Sequence, residues 1–360
     1  MNVVFRVDSE KSILGTGHIH RCLNLAEELR RQNFKISFLI RKFDGHLGRL
    51  LIKKKFKVFF LKKKKIKKLF LKNKKIYKKK IQIEEAKKTL KTIKDTKKNF
   101  LIIDHYFLDK TYESYIKNYF DKIIVIDDLA NRKHECDILL DQNYSFRNEK
   151  KYKKYLSSNV NTLFGPSFAL VGKTFKKFRY IKIKKKNKIN NILLFMGGSD
   201  PTNETIKALE GVNLSNLKFK IINIVVGSSY NYLGMLKRKL NKVNFNYKIY
   251  IQTTKMAELL RRADLAIISG GFITWEKCVV GTPSLVTIKS KNQYENCRIL
   301  EKKGAHMILG KSNNTTSLTY AKKLKNLKIS SLSLMKIKSR KICDGNGVLR
   351  VVKKMRLLIK

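Results

Sequence analysis

The 360 residues include only 3 prolines and 27 acidic side chains, against 81 Lys and Arg. Cysteine is scarce as well: Cys22, Cys136, Cys278, Cys297 and Cys343 are scattered, odd in number and without a Cys-x-x-Cys pair. Such a pattern is no disulfide framework and reads as the reduced thiols of a cytoplasmic protein. No apolar run approaches the length needed to span a bilayer, so stable membrane insertion is not expected. Asn2-Val3-Val4-Phe5-Arg6-Val7 enters a strand directly, with no charged n-region and apolar h-region of a secretory leader before it. The 6 histidines contain no His-Glu-x-x-His, and His18 and His20 would face different directions on a helix. A histidine-built metal site is therefore not expected. The absence of a Gly-x-Ser-x-Gly elbow excludes the commonest serine hydrolase design. Gly172-Lys173-Thr174 and Gly310-Lys311-Ser312 imitate phosphate-loop endings, but Gly165 and Gly304 precede them at the wrong spacing.

What is present is enough apolar material, 43% of residues, to bury a substantial core in a chain long enough for two domains. The formal charge of +54 would attract polyanions without any specific site. Its Lys excess is spread along the chain beside abundant Asn, Ile and Phe, as AT-rich codon usage acting on solvated positions would also produce. Two readings stay open, solvated surface lysines or an anionic partner. Lys53 to Lys80 interleaves Lys with Ile66, Leu69, Phe70, Leu71, Ile76 and Tyr77. It reads as a lysine-rich, poorly ordered insertion or as a basic amphipathic segment lying on an anionic membrane, which leaves room for weak peripheral association.

Strand-like runs alternate with helical stretches. Beyond the first strand they fall at Lys35 to Ile40, Asn99 to Ile103, Lys122 to Ile126 and Asp137 to Leu140. The second half repeats the scheme at Asn191 to Met196, Phe219 to Val226, Tyr247 to Ile251, Asp264 to Ile268, Pro283 to Ile288 and His306 to Leu309. This alternation predicts an α/β protein with two Rossmann-like domains built on parallel sheets. Residues 1–172 form the first domain, the basic stretch 173–190 a linker, 191–335 the second domain and 336–360 a C-terminal helix.

Ligands of open parallel sheets bind beyond the carboxyl ends of the strands. The first strand ends in Asp8 and leads to Gly15-Thr16-Gly17-His18 at the start of a helix. A helix N-terminus disfavours imidazolium, so His18 should stay neutral, the form a general base requires; a cap or packing role is the alternative. Leu101 to Ile103 leads into Asp104-His105-Tyr106, and Ile123 to Ile126 into Asp127-Asp128. In the second half Met196 precedes Gly197-Gly198-Ser199-Asp200-Pro201, and Ile268 precedes Ser269-Gly270-Gly271 with Thr274-Trp275-Glu276. Both are glycine turns opening a helix, where backbone amides can approach a diphosphate and Glu276 can accept from ribose hydroxyls. Each turn alone is equally readable as loop punctuation.

In this order, nearly end to end, the motifs resemble the UDP-sugar hydrolases of pseudaminic acid biosynthesis, relatives of the glycosyltransferase that makes lipid II. The match runs through Phe5-Arg6-Val7-Asp8, Gly15 to Cys22, Ile103 to Tyr106 with Asp109, Ile126 to Ala130, Cys136 to Asn143 and Gly165-Pro166. It continues in Gly197 to Pro201, Gly270-Gly271 with Thr274-Trp275-Glu276, Gly281 to Ser284, Asn292-Gln293 and Asp344 to Gly347. The resemblance implies a glycosyltransferase-B architecture, two Rossmann-like domains facing across a cleft, with UDP held mainly by the second. It implies inverting hydrolysis of UDP-2,4-diacetamido-2,4,6-trideoxy-β-L-altropyranose at the anomeric carbon, without metal or other cofactor, as a step toward a nonulosonic acid for surface glycans. His18 would be the general base, with Tyr106 and Asn292 as further active-site residues. Asp8, Gly17, Gly198, Gly271, Thr274 and Glu276 would line the substrate. His20 and Phe272 depart from the family pattern, and the Lys53 to Lys80 stretch matches nothing in it.

Two other functions remain beside this one. A UDP-sugar-dependent transferase of the same fold would use His18 on an acceptor hydroxyl, since fold alone does not separate the two. A non-enzymatic polyanion-binding protein would bind nucleic acid in a strongly salt-dependent way and tolerate loss of the strand-end residues, whereas the hydrolase has no specific nucleic-acid partner.

Overall fold

The computed structural model of the chain describes residues 1–9, 16–62, 79–94, 99–145, 148–181 and 188–359. It divides into one unit of residues 1–170 with 348–360 and a second of residues 171–347. The first contains β1 (Asn2–Val7), α1 (Gly17–Arg31), β2 (Lys35–Arg41), α2 (Gly48–Lys53), β3 (Lys57–Leu61), α3 (Lys79–Thr92), β4 (Phe100–Asp104) and α4 (Lys110–Ile116). There follow β5 (Lys122–Ile126), β6 (Ile138–Asp141), α5 (Asn148–Tyr152) and β7 (Asn161–Phe164). The second contains α6 (Lys173–Arg179), β8 (Asn191–Phe195), α7 (Glu204–Leu214), β9 (Ile221–Val226), α8 (Leu233–Leu240), β10 (Tyr247–Ile251) and α9 (Met256–Arg262). It continues with β11 (Leu265–Ser269), α10 (Ile273–Val280), β12 (Ser284–Ile288), α11 (Lys291–Lys302), β13 (Met307–Lys311), α12 (Ser317–Lys325) and α13 (Ile329–Ile342). Helix α14 (Gly347–Leu357) returns to the first unit.

Both sheets are parallel throughout, ordered β3-β2-β1-β4-β5-β6-β7 and β10-β9-β8-β11-β12-β13. Their central strands are buried on both faces, as all residues of β4, β11 and β12 show. That burial explains the continuous apolar runs in place of an in-out alternation. On one face of the first sheet, Val3, Phe5 and Val7 join Ile19, Cys22, Leu23, Ala26 and Leu29, which follow the three-four spacing of α1. On the other face Val4, Leu101 and Ile103 pack with Tyr112 of α4. Helix α1 has Arg30 and Arg31 in its last turn, where they complement the negative end of the dipole.

Strand order reverses between β1 and β4 in one sheet and between β8 and β11 in the other. The connections leaving such a pair run to opposite faces and open a crevice at the carboxyl edge. Four of the five segments singled out for chemistry follow these four strands; the fifth, Asp127-Asp128, follows β5.

Several boundaries differ from the sequence expectation. Strand β3 lies inside the Lys53 to Lys80 stretch read as an insertion, of which 63–78 fall outside the described residues. Its apolar core, Val58-Phe59-Phe60-Leu61, is masked by flanking lysines. Lys57 Nζ and Lys42 Nζ lie 4.9 and 5.1 Å from the ring centres of Phe59 and Phe60, shielding an edge strand with cations. Strand β7, another edge, buries Leu163 but not Asn161 or Thr162, too little pattern to read. The expected linker begins as helix α6, anchored by buried Phe175. The expected single C-terminal helix is two, α13 and α14, broken where Gly345 takes φ 77°. Val348, Val351, Val352 and Met355 of α14 bury in the core beside Val3 and Phe5. No disulfide joins any of the five cysteines, and no helix among the described residues is long and apolar enough to cross a membrane.

Candidate active site

In the first unit the switch point brings the start of α1 against the end of β4. His18, the second residue of α1, is buried, and its Nδ1 lies 2.5 Å from Asp104 Oδ1. Arg21, one turn further along the same helix face, donates from Nε to Asp104 Oδ2 and from Nη2 to Oδ1, each at 2.6 Å. Cys22 Sγ donates to Asp104 Oδ2 at 3.4 Å. Burial raises the Asp104 carboxyl, but Arg21 and His18 outweigh it and hold the group well below the usual carboxylate range. Asp104 therefore stays an acceptor, so the 2.5 Å contact requires the proton on His18 Nδ1. Arg21 Nη2 also lies 3.1 Å from Nδ1 but can only donate, and its proton goes to Asp104. The imidazole lone pair is thus on Nε2, the atom available as a base. The ring of Tyr106 meets that of His18 edge-on, centroids 4.4 Å apart at 84°, and restrains its rotation. Burial and the charge of Asp128 push the Tyr106 phenol well up, keeping it protonated.

Asp8 is not placed as a substrate ligand. Arg6 donates to both of its oxygens at 2.7 and 2.9 Å, and Arg41 N donates to Oδ1 at 2.7 Å. His105 Nδ1 accepts from Phe107 N and Leu108 N, so Nε2 carries the proton and donates to Asp8 Oδ2 at 3.1 Å. A carboxylate with its acceptors taken inside the protein is scaffold. Two residues that sequence reasoning left out of the site, Asp104 and Arg21, are central to it. The signal was present, since Arg21 lies three residues after His18 and Asp104 ends the strand beside β1.

In the second unit the turns after β8 and β11 adjoin, as Gly197 and Ser269 Oγ show: a Cβ on that glycine would lie 3.9 Å from the hydroxyl. Gly197 has φ 97°, which favours glycine. Gly198 O accepts from Gly227 N at 2.9 Å, and a Cβ on Gly227 would come within 2.2 Å of that oxygen. The turn is braced by Asp200, whose Oδ2 accepts from Thr205 N and Oγ1 at 2.8 and 2.7 Å. Lys289 Nζ joins Asp200 Oδ1 and Met196 O at 2.7 and 2.8 Å.

Around the second turn the polar groups are left open. A Cβ on Gly271 would make only ordinary contacts, the nearest being Gln293 Nε2 at 3.6 Å, so no protein neighbour demands its glycine. Thr274 Oγ1, on the first turn of α10, is buried with no hydrogen-bond partner among the described residues. Glu276, two residues on, makes no hydrogen bond or ion pair there either, and burial pushes its carboxyl up to about 8. A buried, unsatisfied hydroxyl and a half-buried carboxyl beside an open helix N-terminus are what an anionic, hydroxyl-bearing ligand would complete. Asn292 is the second residue of α11, its Oδ1 accepting from Ser290 Oγ at 2.5 Å. The expected residues thus fall into two sets, with Gly17, His18 and Tyr106 in one unit and Gly198, Gly271, Thr274, Glu276 and Asn292 in the other. Among the described residues, no group of three or more His, Cys, Asp or Glu side chains is arranged to hold a metal ion.

Residues 192–346 match the glycosyltransferase family 28 C-terminal domain. An uncharacterised protein of Methanocaldococcus jannaschii is 28% identical over 289 residues, 78% of this chain and 54% of its own length. The spore coat polysaccharide biosynthesis protein SpsG of Bacillus subtilis is 30% identical over 201 residues, 55% of this chain and 58% of its own. The matched region spans little more than half of either relative. The UDP-2,4-diacetamido-2,4,6-trideoxy-β-L-altropyranose hydrolase of Campylobacter jejuni is 28% identical over 305 residues, 84% of this chain and 97% of the hydrolase. Among solved structures, MurG of Acinetobacter baumannii superposes with a TM-score of 0.64 at 15% identity, covering 99% of each chain. With two parallel, doubly wound sheets, the chain is a glycosyltransferase-B fold protein whose residues 192–346 match the glycosyltransferase family 28 C-terminal domain and which is similar over most of its length to the altropyranose hydrolase.

Proposed function

We propose that the chain is an enzyme acting on UDP-sugars, and that its reaction is hydrolysis of UDP-2,4-diacetamido-2,4,6-trideoxy-β-L-altropyranose with inversion. The observation that carries this reading is His18, held by Asp104 with its Nε2 lone pair available, in a chain similar to a hydrolase of that substrate. In this mechanism His18 Nε2 takes a proton from water as the oxygen attacks the anomeric carbon. The bonding pair of the anomeric C–O bond leaves with the β-phosphate of UDP, and Asp104 stabilises the imidazolium that forms. Amides of the glycine turns and the positive end of α10 act on the departing diphosphate, while Thr274 and Glu276 take ribose hydroxyls. Tyr106, beside His18, and Asn292, in the other unit, are the further active-site residues of this reading. A soluble nucleotide-sugar substrate and five cysteines outside any disulfide favour a cytoplasmic site of action.

The glycosyltransferase family 28 match favours a second reading, a transferase in which His18 deprotonates an acceptor hydroxyl. One experiment separates them. Purified protein is incubated with a panel of UDP-sugars without acceptor, and UDP and free sugar are followed together. Stoichiometric release of both from the diacetamido-trideoxy sugar is the expected result. Release only when an acceptor or membrane is added would reject the hydrolase in favour of the transferase.

A further inference from the structure

Arg21 holds a second carboxylate that the mechanism above does not use. Its Nη1 donates to Asp128 Oδ2 at 3.2 Å, while the other oxygen, Oδ1, is buried with no hydrogen-bond partner among the described residues. The Asp128 side chain is only 9% exposed. A buried carboxylate satisfied on one side is costly and is retained where its charge has a use. The groups facing His18 are Arg21 and Cys22 on α1, Asp104 at the end of β4, Tyr106 just beyond it, and Asp128, beyond β5, through Arg21. Burial keeps the Cys22 thiol and the Tyr106 phenol protonated, so among these groups one guanidinium and two carboxylates are charged; beyond them Lys151 pairs with Asp141 at 3.1 Å and Arg132 with Asp127 at 2.7 Å.

The charge count around the base follows. Arg21 lies 3.1 Å from the imidazole nitrogen, and with Asp104 alone it would form a neutral pair; a proton taken up by His18 would then place an imidazolium against a guanidinium with one carboxylate between them. With Asp128 the cluster is one negative charge in excess before proton uptake and neutral after it. We infer that Asp128, acting through Arg21, supplies the excess negative charge that lets His18 accept a proton during turnover. It is a positioning residue, and this role rests on the reading of His18 as the base. Opposite charge nearby stabilises a protonated imidazole, and charge in a water-poor site acts over several ångströms.

The test is the titration of the His18 imidazole, followed by NMR in the full chain, for the native protein, two neutral variants Asp128→Asn and Asp128→Ser, and Asp128→Glu. Arg21 keeps both bonds to Asp104 in each. The midpoint is expected to fall by about 1 pH unit in both neutral variants and to stay near the native value in Asp128→Glu. In kinetic assays kcat falls at least about tenfold in the neutral variants, with the acid limb of the pH profile displaced, while UDP affinity is unchanged. Native midpoints in both neutral variants, or a rise, would overturn the inference. If the native protein releases UDP from no UDP-sugar, the enzymatic reading fails instead, and the titration still decides the role of Asp128.

Discussion

His18 Nδ1 and Asp104 Oδ1 stand 2.5 Å apart although 86 residues separate them, and this contact sets which imidazole nitrogen can act. The carboxylate is ionised and oriented by two bonds from Arg21, so the imidazole cannot adopt the other tautomer without facing an acceptor with a lone pair.

Replacing His18 by Ala should abolish UDP release while leaving UDP binding intact, because the groups proposed to hold the nucleotide belong to the other unit. Asp104→Asn should lower kcat by about 100-fold or more, since an amide can present an N–H to Nδ1 and stabilise the wrong tautomer. Steady-state kinetics beside UDP calorimetry checks both. Native turnover in either variant defeats the proposed mechanism.

Thr274→Val should separate ligand binding from folding. The hydroxyl has no partner among the described residues, so the near-isosteric change should leave the melting temperature unchanged or raise stability by up to about 1 kcal/mol. UDP affinity should fall several-fold. A destabilised variant with native affinity would show that the hydroxyl serves the fold.

Glu276 predicts a pH dependence with a definite sign. Its carboxyl is raised from 4.5 to about 8 by burial, so between those values the unfolded chain gives up the proton and the folded chain keeps it. Stability contributed by the protonated form is complete below the lower value and is lost as pH rises through the window, by at most about 1.4 kcal/mol per pH unit. Urea midpoints at pH 5 and pH 8.5 should therefore drop more in the native protein than in Glu276→Gln. Equal drops would remove the buried-carboxyl account.

Gly227→Ala tests the brace under the first glycine turn. Its Cβ would meet Gly198 O at 2.2 Å, backbone against backbone, so the turn must move. A loss of about 1–3 kcal/mol is expected, with UDP binding at least tenfold weaker. His18 NMR signals should stay in place, because that residue belongs to the other unit. Unchanged UDP affinity would show that this turn does not hold the nucleotide.

The parallel α/β organisation was legible because buried central strands must be continuously apolar, and β1, β5 and β10 fall at their expected residues. The edge strands β3 and β7 were not, because an edge buries less and the short apolar run of β3 is flanked by lysines that guard it against pairing. The break at Gly345 was equally hidden, since Cys343 to Asn346 reads as helix end only once α14 is seen to fold back into the first core.

By itself the sequence determined which polar residues follow which strand, since local patterning marks where an apolar run stops and a glycine turn begins. Only the tertiary structure decided how those residues are used. Asp8 and Asp104 both stand at strand ends, yet Asp8 is bonded on every side by Arg6, Arg41 and His105, whereas Asp104 orients His18. That distinction depends on strand order, which places β4 beside β1, and on Arg21 lying one helical turn from the histidine. Pairings across 80 or more residues arise from packing and leave no periodic trace along the chain.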